Sequence, residues 1–254
     1  MSRGRLLLVP NTLDLGAAPV DIRQQLPLGV LECAAGLRHW LAEDARSTRA
    51  FLKRVHAVVP LAQPLQAIDI RELPRPAKGR PASPPAGDAP WRDLLAPALA
   101  GQDLGLISEA GLPAVADPGA AAVAAAHALG IGVLPLPGAS SLLLALAASG
   151  LNGQSFAFVG YLPQDAAQRA ARLKDLQALS RRAAQTQLLI ETPYRNAALL
   201  RALLDTLDAD TRLSVSCGLS LPEGWTRSQR IADWRPRPPT MPDRVPAVFA
   251  FLAG

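Results

Sequence analysis

Cysteine is scarce: Cys33 and Cys217 are the two in 254 residues, far apart and in no CxxC pattern. That excludes a disulfide framework and a cysteine-built zinc site, and it predicts two buried thiols. Histidine is nearly as rare. His39, His56 and His127 are scattered with no HExxH, so each reads as a surface or core histidine rather than a zinc ligand. No GxxxxGK[ST], no GxGxxG after the first apolar run and no GxSxG occurs. A P-loop nucleotidase, an ordinary dinucleotide enzyme and an elbow-type serine hydrolase are thereby set aside. Charge is thin, at 19% of residues, and between Pro118 and Gln164 there is none. Such a run raises a membrane span, but it consists largely of Ala and Gly, holds His127 and is broken by PLPGASS. Buried helices and strands around a ligand loop are the better reading. The opening MSRGRLLLVP has an apolar stretch too short for a signal peptide, which makes the cytoplasm the expected compartment.

What is present points to a globular α/β protein. Hydrophobic residues make up 49% and exclude disorder. The excess of 26 Lys and Arg over 21 Asp and Glu gives +5, which permits a polyanionic partner without demanding one. Short apolar runs read as strands at 5–9, 103–108 and 131–136, with central strands at 155–160, 187–191, 212–217 and 245–252. Helical patterns at 41–55, 120–130 (stopped by Gly130) and from Ser141 alternate with them. Residues 71–93 hold six prolines and two glycines and predict a loop. Two α/β domains are expected, 1–116 and 117–254.

In open α/β sheets ligands bind beyond the carboxyl ends of the strands. Three such ends carry unusual loops. SEAGLPAVADPG (108–119) has glycines and prolines that fix the backbone, with Ser108, Glu109 and Asp117 as polar side chains. In PLPGASS (135–141), Gly138 lets a ligand reach the backbone, and Ser140 or Ser141 can cap the next helix. In ETPYRN (191–196) a strand ends on Glu191 and a proline precedes Tyr194 and Arg195. On the 41–55 helix, Arg46, Arg49 and Lys53 share one face beside Arg54, either as a solvated stripe or as a seat for RNA phosphates. Arg169, Arg172, Lys174, Arg181 and Arg182 extend the basic set with less order.

Taken in order, VPNTLDLG, AEDARSTRAFLK, ISEAGLPAVADPG, PLPGASSLLLALAASG, FAFVGYLP and ETPYRN resemble the motif series of the tetrapyrrole methylase superfamily. Within it they look like a shorter branch of the group containing ribosomal RNA small subunit methyltransferase I. The resemblance implies two α/β domains with S-adenosyl-L-methionine between them, no metal, a homodimer, and a ribose 2′-hydroxyl of ribosomal RNA as acceptor. It gives the donor pocket to Pro10, Asn11, Thr12, Ser108, Glu109, Ala110, Gly111, Pro137, Gly138, Ser140, Ser141, Tyr161, Leu162, Pro163, Glu191, Thr192 and Pro193. Glu43, Asp44 and Arg46 match an AEDxR motif on the substrate side and are the expected catalytic set; Arg49, Lys53 and Tyr194 join Arg46 as substrate contacts. Three segments depart from the group's pattern. SEAGLP replaces SDAGTP, Pro10 to Asp14 replaces TPIGN, and Glu191 to Arg195 replaces ESPHR; a His-Asn pair expected in the first domain is absent. A small-molecule methylase and a non-catalytic donor-binding module remain as alternatives.

Overall fold

The computed structural model describes residues 3–12, 21–74 and 89–254. Leu13 and Asp14 of the opening loop, and residues 75–88 of the proline-rich stretch, lie outside the described residues. The chain forms two compact units, Met1–Ala139 and Ser140–Gly254.

The first unit contains β1 (Arg5–Leu8), α1 (Leu28–Gly36), β2 (His39–Ala42), α2 (Ala45–His56), β3 (Asp69–Glu72), α3 (Ala89–Leu94), α4 (Ala96–Leu99), β4 (Leu104–Ile107), α5 (Ala120–Ala128) and β5 (Gly132–Pro135). Its five strands are all parallel, in the order β3-β2-β4-β1-β5. Parallel strands need crossovers, and the helices that supply them cover the sheet. α2 shows how. Asp44 caps it by accepting from Ser47 N at 2.7 Å, and Thr48, Phe51, Leu52 and Val55 form its buried stripe. Phe51 meets Trp40 of β2 edge to face at 6.2 Å. Gly105 of β4 is required beneath that indole, because a Cβ there would stand 2.7 Å from Trp40 Cε3.

The second unit contains α6 (Ser141–Ser149), β6 (Phe156–Gly160), α7 (Ala166–Ala183), β7 (Thr186–Ile190), α8 (Asn196–Thr206), β8 (Arg212–Cys217), β9 (Trp225–Arg230), α9 (Ile231–Trp234) and β10 (Ala247–Leu252). Its sheet is mixed, in the order β6-β7-β10-β8-β9; among paired neighbours only β6 and β7 are parallel. Phe249, Phe251 and Trp234 fill the core, and the Trp234 indole N–H donates to Leu213 O at 2.9 Å. Arg235 closes α8 by donating to the carbonyls of Leu204 and Leu207, both at 2.9 Å.

Several expectations need correction. The first unit does not end at 116: β5 pairs with β1 from Arg5↔Gly132 to Leu8↔Pro135, which draws α5 and β5 into the first sheet. The 41–55 helix begins at Ala45, because residues 39–42 are a strand. β6 is an edge strand rather than a central one. The 71–93 stretch opens on the end of β3 and closes on α3, so it is not loop throughout. Cys33 is exposed, and only Cys217 is buried.

Candidate functional site

In the first unit β2, β4, β1 and β5 are consecutive parallel neighbours, so the segments that leave them emerge at one edge of the sheet. Those segments carry Pro10 to Thr12 after β1, Glu43 and Asp44 after β2, Ser108 to Gly111 after β4, and Pro137 and Gly138 after β5. The arrangement puts these segments at the carboxyl edge of the sheet, where ligands bind in open parallel sheets.

The Ser108–Gly111 loop is clamped from both sides. Asn11 and Gly111 exchange backbone hydrogen bonds at 2.9 Å each. The Asn11 side-chain amide donates to Ser108 O at 3.1 Å and Glu109 O at 2.9 Å, and its Oδ1 accepts from Thr12 N at 2.8 Å. From the segment after β2, Glu43 Oε2 accepts from Glu109 N at 3.0 Å. Arg54 of α2 donates to Thr12 Oγ1 at 2.5 Å. Glu72 of β3 accepts from Ala45 N at 3.0 Å and so holds the first turn of α2. The loops of β1 and β5 touch as well, since a Cβ on Gly138 would lie 2.4 Å from Pro10 Cβ.

Beyond Gly111 the loop turns sharply. Gly111 (φ +75°) and Gly119 (φ +130°) are left-handed, and so are Ala114 (φ 68°) and Ala116 (φ 63°). A left-handed alanine costs about 1–2 kcal/mol, which the clamps must offset. Asp117 lies in this segment, its Oδ2 3.8 Å from where a Gly111 Cβ would stand. Its carboxyl is pushed up to about 7, first by burial and then by the charges of Glu43 and Glu109. Among the described residues Asp117 makes no hydrogen bond or ion pair. Ser108 Oγ is likewise buried and without a partner there.

Of the expected catalytic set, Glu43 is committed to a loop amide and Asp44 to the cap of α2. Arg46 stands exposed on α2 with Arg49 and Lys53, so the basic stripe is a solvent-facing one; Arg54 turns inward to Thr12 instead. Asp117, Arg54 and Glu72 fall outside the expected set. The signal for Asp117 lay in the loop itself, which is longer than a connection from β4 to α5 requires.

In the second unit Ser140 and Ser141 open α6, yet Ser140 makes no side-chain cap bond. Tyr161, Leu162 and Pro163 follow β6, with Leu162 buried in the core. Glu191 follows β7 and is spoken for locally: Thr192 N donates to its Oε1 at 2.8 Å, and Arg195 pairs with its Oε2 at 2.9 Å. Tyr194 is exposed beside that pair. Among the described residues, no group of three or more His, Cys, Asp or Glu is placed to hold a metal, and no helix is long and apolar enough to cross a membrane.

Residues 44–227 match the family model described as Tetrapyrrole (Corrin/Porphyrin) Methylases. The chain is similar to proteins named ribosomal RNA small subunit methyltransferase I. It is 39% identical to that of Pseudomonas aeruginosa over 53% of this chain and 47% of the relative. With that of Streptococcus pyogenes serotype M6 it shares 41% identity over 73% of this chain and 57% of the relative. The matched stretches thus span about half the length of these relatives. Among solved structures, the uroporphyrin-III-C-methyltransferase from Thermus thermophilus superposes with a TM-score of 0.53 at 20% identity, covering 98% of this chain and 94% of that one. The methyltransferase CobJ gives a TM-score of 0.55 at 15% identity, over 99% and 95%. These two show a shared fold.

Proposed function

The chain belongs to the tetrapyrrole (corrin/porphyrin) methylases, and from that premise we propose that it is an S-adenosylmethionine-dependent methyltransferase acting on RNA, in the cytoplasm and as a homodimer. The observation that carries the donor reading is the double clamp on Ser108–Gly111 by Asn11 and Glu43. It holds a loop at a sheet's carboxyl edge in one shape, and preorganised loops bind small ligands with less entropy lost. The residues fit the donor. The unpaired Ser108 hydroxyl offers a polar contact, and Gly111 and Gly138 present backbone without a Cβ.

When bound, the donor supplies a methyl group already activated on a sulfonium, and for that reason the proposed reaction needs no metal. The protein's part is to align the acceptor and exclude water. A hydroxyl acceptor also needs a base. Glu43 and Asp44 are occupied with N–H donors, and Asp117 is the carboxyl that can take the proton. Its proton affinity near neutrality suits that role.

RNA is supported by the exposed Arg46, Arg49 and Lys53 on one face of α2, by the net charge of +5 and by the names of the relatives. The homodimer is supported by apolar surface on the second unit, where Leu143, Leu144, Phe156 and Phe158 are exposed. A small-molecule methylase is the second reading, favoured by the likeness to the uroporphyrin enzyme.

Incubation with methyl-labelled donor and small ribosomal subunits tests the choice. The expected result is label in RNA, with Arg46→Ala lowering the transfer about tenfold, the loss of one charge-assisted contact, while the donor still binds. Label found only in a tetrapyrrole acceptor, or unchanged RNA transfer by Arg46→Ala, would contradict the RNA side of this reading.

A further inference from the structure

The chain has two tyrosines, and the fold leaves both outside: Tyr161 is 58% exposed and Tyr194 69%. An exposed aromatic ring offers a face on which a ligand can stack. β6 and β7 are parallel neighbours with Gly160 opposite Leu189, so the segments that follow run off the same end of the sheet. Tyr161 is the first residue after β6. Tyr194 sits in the single 3-10 turn Pro193–Arg195 after β7.

Both rings are mounted on fixed backbone. Leu162, next to Tyr161, is anchored in the core of the unit. Tyr194 lies between Pro193 and Arg195, whose amide donates to Thr192 O at 2.8 Å and whose guanidinium pairs with buried Glu191 at 2.9 Å. Cations stand close by in sequence. Arg169, early in α7, donates through Nη1 to Gln164 O at 3.3 Å, which ties it to the loop that begins at Tyr161. Its Nε is buried and has no hydrogen-bond partner among the described residues. A cation near a helix N-terminus opposes the helix dipole. Arg172, one turn further along, is exposed.

We propose that Tyr161 and Tyr194 form a stacking platform for unpaired bases of an RNA substrate, with Arg169 and Arg172 meeting the adjacent phosphates. The proposal rests on the RNA reading above. It moves the Tyr161 ring from the donor pocket, where the resemblance puts it, to the acceptor side. Exposed aromatic rings beside arginines suit single-stranded RNA, whose bases are free to stack; in a duplex the bases are already stacked on one another. An apolar protein partner would leave the two guanidinium groups without a role.

The test uses the full chain and a fluorescently labelled single-stranded oligoribonucleotide, with a duplex of equal length for comparison, at several salt concentrations. Wild type is expected to prefer the single strand. Tyr161→Ala and Tyr194→Ala should each weaken that binding about 5- to 100-fold, the range for loss of one stacked base. The dependence on salt should stay unchanged, because stacking releases no counterions. Tyr→Phe at either position should bind as wild type does. Arg169→Gln should reduce the salt slope by about one. Thermal unfolding at the wild-type temperature will show that the variants keep the fold. Alanine variants that bind like wild type, or phenylalanine variants that lose as much as alanine, overturn the platform and leave the RNA reading standing. A wild-type protein that binds its methyl donor but no RNA overturns the RNA reading and the platform together.

Discussion

Asn11→Ala is expected to lower affinity for S-adenosylmethionine at least tenfold and to reduce stability by about 2–3 kcal/mol, the cost of leaving buried polar groups unpaired. The side chain is buried and uses both ends of its amide, giving two hydrogen bonds to Ser108 O and Glu109 O and accepting one from Thr12 N. Alanine removes all three at once. The backbone exchange with Gly111 remains, so the strand end stays in place while the loop above it gains freedom. The donor then meets a loop it must order itself, and that entropy is lost from binding. Asn11→Asp should be worse than alanine, because it points a carboxylate at two carbonyl oxygens near Glu43, Glu109 and Asp117. Urea unfolding gives the stability and calorimetry the affinity. Wild-type affinity in Asn11→Ala would mean that the clamp has nothing to do with the donor.

Asp117→Asn should stabilise the protein above neutral pH and, if the acceptor is a hydroxyl, abolish most of the transfer. The sign follows from the raised carboxyl, about 7 against an ordinary 3.8. Below pH 4 the group is protonated in both folded and unfolded chains and makes no difference. Between about 4 and 7 the folded chain holds a proton that the unfolded chain has lost, so stability falls as pH rises through that window. Above 7 the folded state carries an uncompensated charge next to two others. Partial burial moderates the penalty, which we put at about 1–2 kcal/mol. Asparagine removes it: the variant should match wild type near pH 4 and exceed it at pH 8. Wild-type transfer should rise as pH passes through 7, whereas the variant should show a low, flat profile. Equal stability of the two proteins at pH 8 would contradict this account of the cluster.

Much of the scaffold could be read from the chain because buried strands are short apolar runs with turn residues between them. RLLL, LGLI, TQLLI, RLSVSC and AVFAFL all became strands on that basis. The misses have physical causes. HWLA of β2 runs into a helix whose start is decided by one cap, Asp44, so strand and helix merged into one apparent period. DIRE and WTRSQR are edge strands with polar faces and give no hydrophobic pattern. FAFVG has the composition of a central strand but lies at an edge, where Phe156 and Phe158 remain exposed. The boundary was misplaced because β5 belongs to the first sheet through pairing with β1, a partner more than 120 residues earlier.

The loops of the candidate site were legible to the same depth. Glycine and proline mark where backbone must turn or be approached, so its loops stood out. The clamps did not, because Asn11 with Ser108 and Glu43 with Glu109 join residues 97 and 66 apart in sequence. The raised proton affinity of Asp117 was hidden for a similar reason: it comes first from burial and then from Glu43 and Glu109, and the burial and the approach of Glu43 arise only in the fold.

The most direct test of the central claim is a calorimetric titration of the purified protein with S-adenosylmethionine and, separately, with its demethylated product. The clamped loop predicts one-site binding of both. Folded protein that binds neither would contradict a donor site in this chain, and with it the methyltransferase reading.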